Sequence, residues 1–420
     1  MELNRSEFQS GKKRCAVLYA VFVAYAQYIQ YVGINISHMV AVFGAILVMY
    51  YLVELIYARN IDMTSTEHRI FLLFFLVTFT TGLIGSVSLN DHLSTWMNAF
   101  EYFLILSCTL YIMYDENSIA AFLKLYGIFT IILAVTLIIR PVATTDSVKL
   151  DSIRYSISAN LNSNILGMIL ALGCWCVLML RILRPQHNIL PIIGVSVLVV
   201  ACMLTGSRKG LISMMIIAGM WFLWVELPKK SRNANEIIKK IFLIIAIIIS
   251  FLYLYNKYYI NSTMSIRMEE MFNGTDESNQ VRTSLYSKAL ALFLKKPLIG
   301  WGFGGYGSYY LNNPSRYSHA TYAELLACTG IIGCVIWGVL YIYSIIKTCY
   351  LLVITRGITK LNKTREILKM ILILWLFVVF TSATVIYFYE LNCFITLGIL
   401  FSMIKYVENS MANIDLYEEI

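Results

Sequence analysis

The chain has 420 residues, of which 59% are hydrophobic and 14% charged, with a formal charge of +9 and a mean hydropathy of +0.71. Soluble domains carry roughly a quarter charged residues, so a soluble enzyme of two or three domains is excluded and lipid is the expected solvent. The positive charge does not point to nucleic acid, because Lys and Arg concentrate in short segments between apolar runs, where they orient a membrane chain.

The apolar runs fall near 15–32, 36–57, 70–88, 94–113, 119–139, 161–181, 188–205, 210–226, 240–259, 319–347, 368–389 and 391–407. Each can cross the hydrocarbon core as a helix, which satisfies its own backbone hydrogen bonds. The expected fold is an all-α polytopic membrane protein, one integral membrane domain over 1–420 with about twelve transmembrane helices. All six prolines lie at or near the edges of the runs, which predicts straight spans.

Lys12, Lys13 and Arg14 precede the first run as in a signal peptide, and Ala24-Tyr25-Ala26 imitates a cleavage site. That tripeptide sits inside the apolar stretch with no polar segment after it, so a retained first helix is expected. Basic clusters at 12–14, 59–69, 181–184, 229–240 and 347–369 place both termini in the cytoplasm. The segments 140–160, 205–210 and 260–318 then lie on the other side. The last is a large extracytoplasmic loop, and loops of that length are uncommon unless functional or disordered. Within it, Val281–Phe293 spaces Leu285, Ala289, Leu292 and Phe293 along one face, as in an amphipathic helix on the membrane surface.

Most of the nine cysteines lie in apolar runs (Cys108, Cys174, Cys176, Cys202, Cys334, Cys349), none forms a Cys-x-x-Cys pair, and the five histidines are scattered. No disulfide, metal or cofactor is expected. Gly300-Trp301-Gly302-Phe303-Gly304-Gly305 follows no strand, so its glycines suit tight turns that bring backbone against the membrane surface or a ligand rather than a nucleotide loop. Glu54 and Glu390 sit near span ends; Glu101 lies within a run, where a buried hydrogen bond is expected.

Three segments offer chemistry. In Thr205-Gly206-Ser207-Arg208-Lys209-Gly210, Ser207 can cap a helix whose N–H groups, together with Arg208 and Lys209, suit a phosphate. The alternative is a pair of cations anchored at the interface. Arg282 heads the surface helix with Lys288 on the same stretch, for a bound anion or for anionic lipid. His319 and Glu324 are about one helical turn apart, where one can act as a general base and the other can orient it; a satisfied interfacial histidine is the plainer reading.

Four segments in order carry a resemblance. They are Arg154 with Asn160-Leu161-Asn162-Ser163-Asn164-Ile165-Leu166-Gly167; Thr205 through Gly210; Arg282 leading into Lys296-Pro297-Leu298-Ile299-Gly300-Trp301-Gly302; and His319 through Glu324 leading into Thr329-Gly330-Ile331-Ile332-Gly333. Over roughly residues 150–340 the chain resembles the O-antigen ligase/polymerase superfamily of bacterial surface-glycan enzymes. Ala320 stands where the family commonly has Asn, and Cys328 where it often has Glu.

The resemblance implies a multi-pass protein of the bacterial cytoplasmic membrane with an outward-facing site. It implies transfer of a glycan from an undecaprenyl diphosphate carrier to a sugar hydroxyl, inverting and metal-independent, as in polymerisation of O-antigen, capsule or exopolysaccharide units. Arg208, Lys209 and Arg282 would hold the diphosphate, His319 and Glu324 would serve the acceptor, and Arg154 and Asn164 would support them. A chain-length regulator and a flippase would be partners, besides membrane lipid. The alternatives are an O-antigen ligase that hands finished glycan to a lipid core or protein, and a lipid-linked oligosaccharide flippase. A transporter would show paired repeats with interrupted helices, which the sequence lacks.

Overall fold

A computed structural model describes residues 65–113, 115–143, 155–157, 162–185, 190–228, 277–314 and 316–418, with isolated positions at 46, 49 and 273. The expected spans near 15–32, 36–57 and 240–259, together with Glu54 and Arg154, lie outside the described residues. The described helices are α1 (Thr66–Gly85), α2 (Leu89–Ile112), α3 (Glu116–Ile139), α4 (Ser163–Leu183), α5 (Leu190–Leu204) and α6 (Arg208–Trp221). They continue with α7 (Glu277–Lys295), α8 (Gly305–Leu311), α9 (Thr321–Ile354), α10 (Asn362–Ser382) and α11 (Leu391–Glu418). A two-residue antiparallel pair, Val142–Ala143 with Tyr155–Ser156, is the sole sheet among the described residues.

Six helices among the described residues are long and apolar enough to cross a membrane: α1, α3, α4, Arg208–Glu226, α9 and the first 22 residues of α11. The expected spans at 94–113 and 368–389 appear as the helices α2 and α10, of 24 and 21 residues, which are not among those six. Glu101 is exposed on α2 and is not held in the buried setting expected of it.

The chain divides into two compact units. One contains α1, α2, the start of α3 and everything from Ser278 onward. Its core is aromatic: Phe71 meets Trp337 of α9 at 5.3 Å, Phe394 of α11 at 5.6 Å and Phe103 of α2 at 5.6 Å. At one end Lys347 of α9 bonds Glu67 of α1 at 3.0 Å and Glu408 of α11 at 2.7 Å, so a buried carboxylate is matched by a cation. The other unit runs from Tyr126 to Glu277 and packs α4 against α5 and α6. Its glycines permit close approach: a methyl at Gly210 would lie 2.7 Å from the Gly167 backbone.

One span is not straight. α9 breaks at Gly330, whose φ of 62° and ψ of −163° are open only to glycine. A broken helix strands carbonyls before the break and N–H groups after it. Here the Gly-rich segment satisfies both sets. Trp301 and Gly302 donate to the Ala327 and Cys328 carbonyls at 3.0 and 2.9 Å, and Ile331 and Ile332 donate to the Pro297 and Leu298 carbonyls at 2.8 and 3.2 Å. The expectation of straight spans fails because proline position was its only guide, and this interruption is made by glycine.

Candidate functional site

The turn between α5 and α6 builds itself. Thr205 Oγ1 accepts the Ser207 N–H at 3.1 Å, Gly206 takes a φ of 61°, and Ser207 Oγ accepts the Gly210 N–H at 3.2 Å, capping α6 as its sequence predicts. Arg208 is 9% exposed and Lys209 half-buried, both in the first turn. α4 begins beside them: Asn162 caps it through the Asn164 N–H at 2.9 Å, and Gly167 lies against Ser207 and Gly210. Two helix N-termini therefore meet at one end of this unit, with Arg208, Lys209 and Asn164 around them. Partial positive charge from both helices adds to two cations there, an arrangement suited to phosphate.

In the other unit, α7 covers the predicted Val281–Phe293 stretch and extends it at both ends. Ala289 and Leu292 are buried with Tyr306, Ala327 and Cys328, and Leu285 packs on the edge of that cluster, so the expected apolar face faces protein. Arg282 is half-buried, one turn before Tyr286, whose hydroxyl donates to the Ala383 carbonyl at 3.3 Å. The segment 383–390 that receives it also receives the start of α9. Thr321 donates its hydroxyl to the Val385 carbonyl and accepts the Tyr387 N–H at 3.0 Å. Tyr286, one turn from Arg282, and the start of α9, just after His319, thus border the same segment.

His319 lies outside the helix, half-buried, with a φ of 63°. A non-glycine residue in that region costs on the order of 1–3 kcal/mol and persists only where its surroundings enforce it. Glu324 supplies enforcement. It is fully buried, its Oε2 accepts the Ser318 N–H at 2.8 Å, and its Oε1 accepts the Cys328 thiol at 3.4 Å. Its carboxylate thus meets main chain and thiol, contacts through which it can hold the His319 turn. Tyr317 packs on His319 with ring centroids 4.7 Å apart.

The Gly-rich segment serves this turn indirectly. Besides closing α9 it accepts support from Lys296, which donates to the Gly85 carbonyl at 3.0 Å, and from His92 Nδ1, which takes the Phe303 N–H at 2.9 Å. Gly304 donates to the Tyr389 hydroxyl at 2.9 Å, again reaching segment 383–390. Its backbone is therefore applied to the protein's own helices, where the sequence suggested the membrane surface or a ligand.

Two groups near His319 escaped the sequence reading. Burial raises the half-buried Glu390 carboxyl from the ordinary 4.5 to about 7. Burial first, then the nearby Glu390 and Glu324 carboxylates, pushes the Tyr317 phenol up, so it stays protonated and can donate. Glu390 looked like an ordinary span-boundary acid, and only the fold of 383–390 sets it near Tyr317. Among the described residues no group of three or more His, Cys, Asp or Glu side chains can hold a metal ion.

A helical membrane protein with two capped helix N-termini meeting beside Arg208 and Lys209 in one unit and a strained histidine turn in the other is the class these features define. Residues 193–338 match the family model described as O-antigen ligase. The match supports membership of the O-antigen ligase/polymerase superfamily, whose members are membrane enzymes that transfer lipid-linked glycans, and it gives no support to a flippase. It spans α5, α6, α7, α8 and the first half of α9, including Arg208, Arg282, His319 and the Gly330 break. No curated protein matches the chain.

Proposed function

We propose that this chain polymerises undecaprenyl-diphosphate-linked oligosaccharide units at the outer face of the bacterial cytoplasmic membrane. The observation that carries the reading is the meeting of the α4 and α6 N-termini at Gly167 and Gly210, with Arg208 and Lys209 in the first turn. A diphosphate leaving group gains negative charge as its bond to the anomeric carbon breaks, and preorganised cations and N–H groups stabilise that charge. The family resemblance assigns Arg208, Lys209 and Arg282 to this role, with Asn164 and Arg154 supporting it. The acceptor hydroxyl attacks the anomeric carbon from the opposite side, giving inversion, and its proton passes to His319. Glu324 orients the turn. The scheme uses neither metal nor nucleotide, and it places a flippase upstream and a chain-length regulator alongside.

The ligase reading keeps the same residues and changes the acceptor to a lipid core or protein; the family match fits both readings. Gel analysis of surface glycan from a deletion strain separates the two. Lipid core bearing a single repeat supports the polymerase, and glycan retained on its carrier supports the ligase. In the same strain, Arg208→Ala and Arg282→Ala should each lower extension about a hundredfold or more, with Arg→Lys also damaging because a point charge lacks the fork that grips phosphate oxygens. Normal-length polymer from both alanine variants, present in the membrane, would overturn the diphosphate assignment.

A further inference from the structure

The lysines of α7, and Lys296 just after it, are left unused by the transfer scheme and stand on two aromatic stacks. In the first, Lys296 lies 4.0 Å from the Trp301 ring centre, Tyr309 packs on Trp301 at 5.3 Å, and the exposed Lys295 donates to the Tyr309 hydroxyl at 2.8 Å. In the second, buried Tyr306 supports Tyr310 at 5.6 Å, and the Lys288 ammonium lies 5.8 Å from the Tyr310 ring centre. The Tyr310 hydroxyl donates back to the Lys288 carbonyl at 3.2 Å, and the two outer tyrosines touch at 5.0 Å. Surface lysines ordinarily sample many rotamers, and a binding site must pay for that freedom. Here a tyrosine ring lies under each ammonium group.

Lys288 and Lys295 are seven residues apart, which on a helix puts them on one face about 10 Å from each other, the length of a disaccharide. The exposed Leu290 and Leu294 lie roughly 100–160° away round α7. A lipid surface that covers those leucines leaves the lysine edge turned elsewhere.

We infer that Lys288 and Lys295, with Tyr309 and Tyr310, form a ledge that binds an acidic glycan carrying a carboxylate on every second sugar. The inference rests on the glycan-transfer reading above, and the ligand it specifies is the repeat-unit chain. The ammonium groups pair with the carboxylates, and the exposed Tyr309 ring offers an apolar face to the C–H side of a pyranose.

The test uses full-length protein in phosphatidylcholine nanodiscs, with a hyaluronan octasaccharide as the alternating acidic probe and a maltooctaose as the neutral one. Hyaluronan should bind at least tenfold more tightly than maltooctaose, and Lys288→Gln/Lys295→Gln should remove the difference while the melting temperature stays unchanged. Tyr309→Leu should weaken the acidic probe several-fold with both charges intact. Equal binding of the two probes overturns the ledge, as does hyaluronan binding that the double variant retains. Binding seen only when phosphatidylglycerol is added to the discs assigns the lysines to lipid headgroups and overturns it as well. Surface glycan of normal length in a deletion strain would refute the glycan-transfer reading alone, since the probe measurement needs no turnover.

Discussion

The α5–α6 turn and the Gly330 break both interrupt helical backbone, and they close it in opposite ways. At Thr205–Gly210 the Thr205 and Ser207 side chains close the turn with bonds to backbone no more than three positions away. At Gly330 the partners come from about thirty residues earlier, and the bonds run backbone to backbone. A self-capped turn can form whenever its helices form. A break closed by a distant segment holds only while that segment stays docked through Lys296, His92 and Tyr389. The His319 turn depends on the second kind of closure, because Glu324 and Cys328 lie on the short helical piece just before the break.

The sharpest way to break the comparison is Gly330→Ala. A Cβ there would run into the Leu298 carbonyl, at a φ that penalises any side chain. Backbone strain of about 1–2 kcal/mol plus overpacking of about 1–3 kcal/mol predicts a loss of roughly 3 kcal/mol. It should be read as a lowered melting temperature in detergent together with lost glycan transfer. A variant as stable as the parent would mean that the distant closure is dispensable.

Ser207→Ala tests the local closure and should cost less. Loss of one N-cap is worth about 1 kcal/mol, with the fold retained, and thermal melting measures it. Transfer should fall further than stability does, since the cap opens the helix proposed to hold the diphosphate. A loss matching that of Gly330→Ala would erase the distinction between the two closures.

The smallest effect sharpens the comparison by pH. Glu390 ends the segment that docks on Thr321 and Gly304, and its folded carboxyl titrates at about 7 against an ordinary 4.5. Between those values the folded protein keeps a proton that the unfolded chain has released. Stability therefore declines as pH rises from 4.5 through 7, then levels off. Because the group is half-buried and partly screened, the decline should be on the order of 1 kcal/mol. Glu390→Gln should flatten the melting-temperature profile over that interval; an unchanged slope would assign it to another group.

Much of this protein was legible without tertiary structure. Twenty-residue apolar runs must be helical in lipid because no other local structure pairs every N–H with a nearby carbonyl. Ser207 had to cap α6 because its hydroxyl reaches an N–H three residues on, a fact of short-range geometry. Helical spacing set which residues of α7 share a face, but it put that face on the membrane surface, and Ala289 and Leu292 pack against protein instead. Tertiary structure alone decided what the Gly-rich segment touches, since backbone pairing across thirty residues leaves no side-chain pattern to read. It decided that Glu324 turns inward to the Ser318 N–H, because one helical turn of spacing fixes proximity to His319 but not which oxygen meets which donor. It also decided that burial raises the Glu390 carboxyl to about 7, because a carboxyl's pKa follows from the desolvation around it, and Tyr317, far along the chain, is brought near it only by the fold.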